Sequence, residues 1–330
     1  AAKHVFQDRN VYTLPPLTVV ALGAGAGVAA IGAVAGIAAG LPQGSPFAAA
    51  LGAIFLGAQI YLTLHVIFAA LASVAPKPFL RPLAPPPNAA LPVTDVIIAL
   101  DDPEDLERAA FSLAAAARLK YPAERLRVHV VAAGAAAEAS QTLANLAQSY
   151  GASWMAMSMV PTRERALQQA FDRTAGQLAL FLKPGEAPAA DLLERVNGSF
   201  TSEAMLGLVE IGHFVVDGDG ARADTAAPRR LPADAGPLAR ALLRGGPRPS
   251  PASAVTTVWR RGALISSGGI ARGTLDGEAM ARMTAVTRGW SRRVAPTPMI
   301  ATFAPQTMAD AVAGQAQRRL AEIDVVAQMG

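Results

Sequence analysis

The sequence contains no cysteine. That excludes disulfides, thiolate metal centres and cysteine nucleophiles. Charge is also scarce: charged residues make up 16% of the 330 positions, against 52% hydrophobic. This balance is more apolar than that of an ordinary soluble domain and points to a membrane portion. Acid and base nearly cancel, leaving a formal net charge of +4. So small an excess does not point to nucleic acid, and basic residues beside a membrane segment account for it. The histidines His4, His65, His129 and His213 are scattered without ligand spacing, so no histidine metal cluster is expected. None lies near a nucleophile elbow, so no Ser-His-Asp set can be assigned.

What the sequence does have is two long uncharged runs near its start, Leu17 to Leu41 and Pro46 to about Ala75. As a helix, the first would span roughly 37 Å, enough to cross a bilayer with some tilt. The connector "PQGS" is short and turn-rich, so the pair reads as an antiparallel transmembrane hairpin over 17–75. The first run is too long for a signal-peptide core, and no cleavage pattern follows it. Lys3 and Arg9 precede the hairpin, Lys77 and Arg81 follow it, and the connector has no basic residue. The positive-inside rule then places segment 1–16 and the rest of the chain on the cytoplasmic side of a bacterial-type inner membrane. In the first helix, Gly23 and Gly27, then Gly32 and Gly36, stand four apart on one face. Small residues at that spacing let helix backbones approach closely. The face serves either the protein's own second helix or another integral membrane protein. The Gly-rich "GAGAGVAAIG" is not a phosphate loop, because it lacks the Lys-Ser/Thr ending. His65, within the second helix, reads as an interhelical hydrogen-bonding residue or as a functional intramembrane group.

A proline-rich linker, 76–93, separates the hairpin from a domain of different periodicity, 94–330. "TDVIIAL" (94–100), "RLRVHVVAA" (125–133), "GQLALFL" (176–182) and "AMLGLVEIGHFVV" (204–216) read as strands, and "SWMAMSM" as a weak one. Amphipathic helices alternate with them over 103–120, 136–151, the "TRERALQQAFDRTAG" stretch and "DLLERVNGSF", with Asp102 as a cap for the first. The alternation implies an α/β, doubly wound, mostly parallel sheet. Residues 217–253 read as a long irregular loop. Its Arg229, Arg230, Arg244 and Arg248 suit either plain solvation or contact with anionic lipid. "SAVTTVWRRGALI" resumes a strand and a helix, and 275–290 and 305–329 read as helices.

The order of these segments resembles the membrane-bound family-two glycosyltransferases, the cellulose-synthase-like group with the GT-A fold. The matching stretches are "YPAERLRVHVVAAG", "TAGQLALFLKPGEAP", "VEIGHFVV", "TTVWRRGALISSGG" and "GEAMARMTAVTRGW", within about residues 94–320. The resemblance implies two nucleotide-contacting Asp after the second strand, where this chain has Ala132 and Ala133. It implies an Asp-x-Asp metal motif where this chain has Lys183, Pro184 and Gly185. Hard cations need oxygen ligands, which these side chains do not supply, so the resemblance implies a lost metal site and no cofactor. The Thr-Glu-Asp base motif falls on Asp276, Gly277 and Glu278, leaving Glu278 as a vestigial base. The Gln-x-x-Arg-Trp motif falls on Gln315, Arg318 and Arg319 without its tryptophan. The expectation is a catalytically impaired, glycosyltransferase-like membrane protein that serves as a structural or interaction subunit of a larger complex. The alternative is an active, metal-independent glycosyltransferase with Glu278 as base and Lys183, Arg318 and Arg319 on the donor's diphosphate. A third reading is a regulatory domain that binds a nucleotide or lipid head group without chemistry.

Overall fold

The computed structural model describes residues 46–74, 80, 91–216 and 255–303, except for gaps at 103–104, 135, 137–139, 158–161, 271–275 and 296–297. It also describes isolated positions in 25–40 and from 316 to 328. The chain divides into two compact units, one holding residues 10–77 and 234–247, the other the remainder.

In the smaller unit, helix α1 runs Pro46–Val74 over 29 residues without a charged side chain. Phe47, Leu51, Ile54, Phe55, Ile60, Tyr61 and Leu64 are exposed along it. Its described side chains form a shorter run than the backbone helix. Among the described residues, no helix is long and apolar enough to cross a membrane. The expected transmembrane hairpin is therefore not found. Most of its first helix, including Gly23, lies outside the described residues.

The larger unit is built on one sheet. Its parallel half comprises β1 (Thr94–Leu100), β2 (Leu126–Ala132), β3 (Ser153–Trp154) and β4 (Leu178–Leu182). The other half comprises β5 (Ala187–Pro188), β6 (Leu206–Val216), β7 (Val255–Arg260), β8 (Ser291–Val294) and β9 (Ile300–Phe303). The order is β3-β2-β1-β4-β7-β6-β9-β5, with β8 also on β6. Strand β7 enters antiparallel between β4 and β6. Five of the eight strand pairings among the described residues are parallel, as expected of a mostly parallel sheet, and β7 adds the antiparallel insertion that makes it mixed.

Alternation along the strands divides two apolar layers. Val96, Ile98, Leu100, Val130, Leu180 and Val258 face one way. They meet α2 (Leu106–Ala116), α3 (Ser140–Ser149) and α5 (Leu192–Ser202). Ile97, Ala99, Val131, Phe181, Leu208 and Trp259 face the other way. They meet α4 (Arg163–Arg173), α6 (Arg261–Ser266) and α7 (Gly277–Thr287). Helices on both faces bury the sheet on both sides, as a doubly wound domain requires. The cap Asp102, expected before α2, is replaced by Asp105, whose side chain makes no capping hydrogen bond. The linker 76–93 (apart from Leu80 and 91–93), the loop 217–253 and most of the final helix 305–329 lie outside the described residues.

Candidate functional site

The buried strand β4 ends at Leu182, and the next four residues form a turn closed on itself. Lys183 N donates to Glu186 Oε2 at 3.0 Å, and Glu186 N donates to Lys183 O at 3.0 Å. Gly185, with φ +87°, adopts a conformation that favours glycine. Its N–H is shared by Arg108 O at 3.0 Å and Ser112 Oγ at 2.9 Å. Ser112 Oγ lies 3.2 Å from both Arg108 O and Lys183 O. The turn is thus fastened under α2, with the Lys183 side chain left exposed.

Glu186 is a carboxylate that the sequence reading passed over. It is 6% exposed and points inward. Its Oε2 accepts from Thr256 Oγ1 at 3.0 Å, and His213 Nε2 lies 2.8 Å from that hydroxyl. Oε1 stands 3.8 Å from His213 Nε2. The position directly after the expected metal motif therefore spends its carboxylate on holding β4, β6 and β7 together. Nothing in its local sequence reveals this, because its partners lie on strands remote in the chain.

Lys183, Pro184 and Gly185 supply no side-chain oxygen for a divalent ion, being an ammonium, a proline ring and a glycine whose N–H is already engaged. The nearest carboxylate already accepts from a backbone N–H and a hydroxyl. No group of three or more His, Cys, Asp or Glu able to hold a metal occurs among the described residues. Ala132 and Ala133 are buried in opposite apolar layers. Ala133 N donates to Leu100 O at 2.8 Å, which extends the β1–β2 ladder. Both are core positions. The carboxylates at this end of the parallel strands come instead from the end of β1, where Asp101 and Asp102 are exposed. Their charges reinforce the effect of burial, which pushes the Asp105 carboxyl up against the pull of Arg108. The signal for this acidic cluster was its place immediately after a buried strand.

Glu278 sits in the first turn of α7, which Asp276 caps by accepting from Ala279 N at 2.9 Å. The residue keeps some exposed surface, but its carboxyl is enclosed by protein. Burial pushes that carboxyl up, and the negative charge of Asp276 adds to the rise. Arg163, Arg282 and Lys183 oppose it. Of these three, Lys183, 95 positions away in sequence, has the weakest influence on Glu278. The buried Nε and Nη2 of Arg163 have no hydrogen-bond partner. Arg318 and Arg319, together with Gln315, lie outside the described residues. Among the small residues of the first uncharged run, Gly27 is buried while Gly32 and Gly36 are exposed. A Cβ built on Gly32 or Gly36 meets nothing within 4 Å.

From the start of β1 the structure forms a row that was not expected. Asp95 Oδ2 accepts from Gly176 N at 2.6 Å, and Oδ1 lies 3.3 Å from His129 Nε2. His129 Nδ1 lies 3.2 Å from Ser153 Oγ, which also reaches Val128 O at 3.3 Å. The row ties the start of β1 to the middle of β2, to β3 and to the entry to β4, which makes it a clamp on the parallel half.

Neither a protein-family model nor a curated protein matches this sequence. Solved structures do resemble it in shape. The mannosyltransferase PcManGT from Pyrobaculum calidifontis, in complex with GDP-Man and Mn2+, aligns with a TM-score of 0.60 at 14% identity. That alignment covers 94% of this chain and 75% of the mannosyltransferase. S. aureus TarS, residues 1–349 with UDP-GlcNAc, reaches a TM-score of 0.48 at 11% identity, over 66% of this chain and 60% of its own. Glucosyl-3-phosphoglycerate synthase from Mycobacterium tuberculosis, with phosphoglyceric acid, reaches 0.47 at 14% identity, over 73% and 80%. At such identities a likeness speaks for the fold alone, and here the mannosyltransferase carries it. The larger unit has a GT-A-like glycosyltransferase fold.

Proposed function

We propose that this protein is a catalytically impaired, glycosyltransferase-like subunit, associated with a membrane and retained for its shape within a larger assembly. One observation carries the reading. At the end of β4, where the resemblance places metal-binding acids, the chain has Lys183, Pro184 and Gly185 in a turn fastened by its own hydrogen bonds. A donor diphosphate brings about two negative charges that a metal ion ordinarily offsets. The burial of Ala132 and Ala133 supports the same reading, since no nucleotide contact issues from a core methyl group. The exposed apolar side chains of α1 support membrane association, and the small-residue face of the first uncharged run supports a membrane partner.

Glu278 favours a second reading, a metal-independent transferase. It keeps a carboxyl in the motif position and has Lys183 and Arg163 nearby to offset ligand charge. One experiment separates the two. Sugar nucleotides are titrated into the full-length protein by calorimetry, with Mn2+ and with EDTA, and product is assayed in both. The structural reading expects no metal-dependent binding and no product. Metal-dependent binding overturns it, and product formed in EDTA establishes the second reading.

A further inference from the structure

Beneath α7, four buried polar atoms have no hydrogen-bond partner: Glu210 Oε1 on β6, Thr257 Oγ1 and Trp259 Nε1 on β7, and Arg282 Nε on α7. Register makes them neighbours. Glu210 stands opposite Thr257, and Leu208 opposite Trp259. Directly opposed residues share a sheet face, as do residues two apart on a strand. Glu210, Thr257 and Trp259 therefore project from one side. Leu208, Trp259, Ala281 and Ala285 belong to one apolar cluster, which sets α7 over that side.

The four atoms are complementary. Two are N–H groups that only donate, one is a carboxylate oxygen that only accepts, and one is a hydroxyl that does both. Arg282 Nε stands 3.8 Å from Glu210 Oε1, too far for a direct hydrogen bond. The other oxygen, Oε2, takes its bond from Arg292 Nε at 3.1 Å. A buried polar group left unpaired costs about 1–3 kcal/mol, so four such groups on one face beneath one helix call for a bridging molecule. Buried water makes about two to four hydrogen bonds and settles where polar groups converge.

We infer that ordered water binds beneath α7, bridging Arg282, Glu210, Thr257 and Trp259. It holds the Arg282 guanidinium between Glu210 and Glu278, which stands one helical turn earlier on the same side of α7. The water is thereby a positioning element for the field at Glu278. This role holds whether or not the domain transfers a sugar, so it stands apart from the proposed function.

The test is Thr257→Val, which keeps the side-chain volume and removes the hydroxyl. With water in place, the change breaks one of its bonds, and the melting temperature of the full-length protein falls by about 2–4 °C. In a dry cluster the change removes an unpaired polar atom, so a melting temperature that rises or does not move overturns the inference. A crystal structure of the unaltered protein, at a resolution that shows solvent, decides the matter if the variant does not fold. Density within hydrogen-bond reach of at least two of the four atoms is expected, and its absence overturns the inference.

Discussion

Glu278 shows how far a single residue could be read from the chain. Its place in a motif drew attention to it, but its state depends on Arg163, Arg282 and Lys183, which the fold supplies. Burial dominates and raises its pKa above that of the unfolded chain. As pH rises past the ordinary glutamate range, the unfolded chain loses this proton while the folded chain still holds it. Stability therefore falls with increasing pH across that window. Glu278→Gln removes the penalty. We expect it to gain about 1 kcal/mol at pH 7 and to make no gain below the ordinary range. Denaturant midpoints for both proteins from pH 4 to 7 check this, and parallel curves would sink it. The other charged residues of the interior were not legible. Arg292 and Glu210, each nearly fully buried, pair across 82 positions of sequence, a separation at which no local pattern operates.

At the scale of elements, β4 could be read because it is a continuous apolar run, and β1 because five apolar residues follow its first two. Thr94–Leu100 matches its expected bounds. Strands β8 and β9 were missed. "SRRV" carries two arginines, one of them buried and paired with Glu210, and β9 is four residues long. The Asp95 row that clamps the parallel half is open to test. Burial is the largest influence on Asp95 and pushes its carboxyl up. The hydrogen bonds from His129, Gly176 N and Thr174, together with the histidine's charge, outweigh it and bring the pKa down. The stability this supplies is complete above the ordinary aspartate value of 3.8 and is lost as pH falls through the lower folded value. Asp95→Asn should cost about 3 kcal/mol at pH 7, with a loss that shrinks as the native protein is acidified. Gly176→Ala should act on the same clamp, since a Cβ there would stand 2.5 Å from Asp95 Oδ2. Chemical denaturation at pH 7 and pH 3 measures both. An Asp95→Asn loss that is equal at the two pH values would refute the ionic account.

At the scale of the whole molecule, composition announced an apolar excess and the structure shows part of where it goes. The larger unit buries its share in two layers on either side of the sheet. Among the described side chains of α1, large apolar ones stay exposed: Phe47 is 74% exposed, Phe55 69%, Ile54 68% and Tyr61 67%. Exposed apolar surface forgoes about 25 cal/mol for each Å² that could leave water, and a run of large side chains along one helix multiplies that figure. Charge cannot compensate, because α1 has none. Lipid or an apolar partner surface removes the cost, and the basic residues Lys77 and Arg81 just beyond the helix suit an anionic head-group region. The expected outcome is that the full-length protein, expressed with its first 77 residues intact, sediments with membranes. It should resist both 1 M salt and alkaline carbonate and come free only in detergent. Release by salt alone would mean that charge holds it, and recovery in the soluble fraction would mean that another part of the chain covers α1. Either result would remove the membrane from the proposed function and leave the closed turn at Lys183 to be explained by itself.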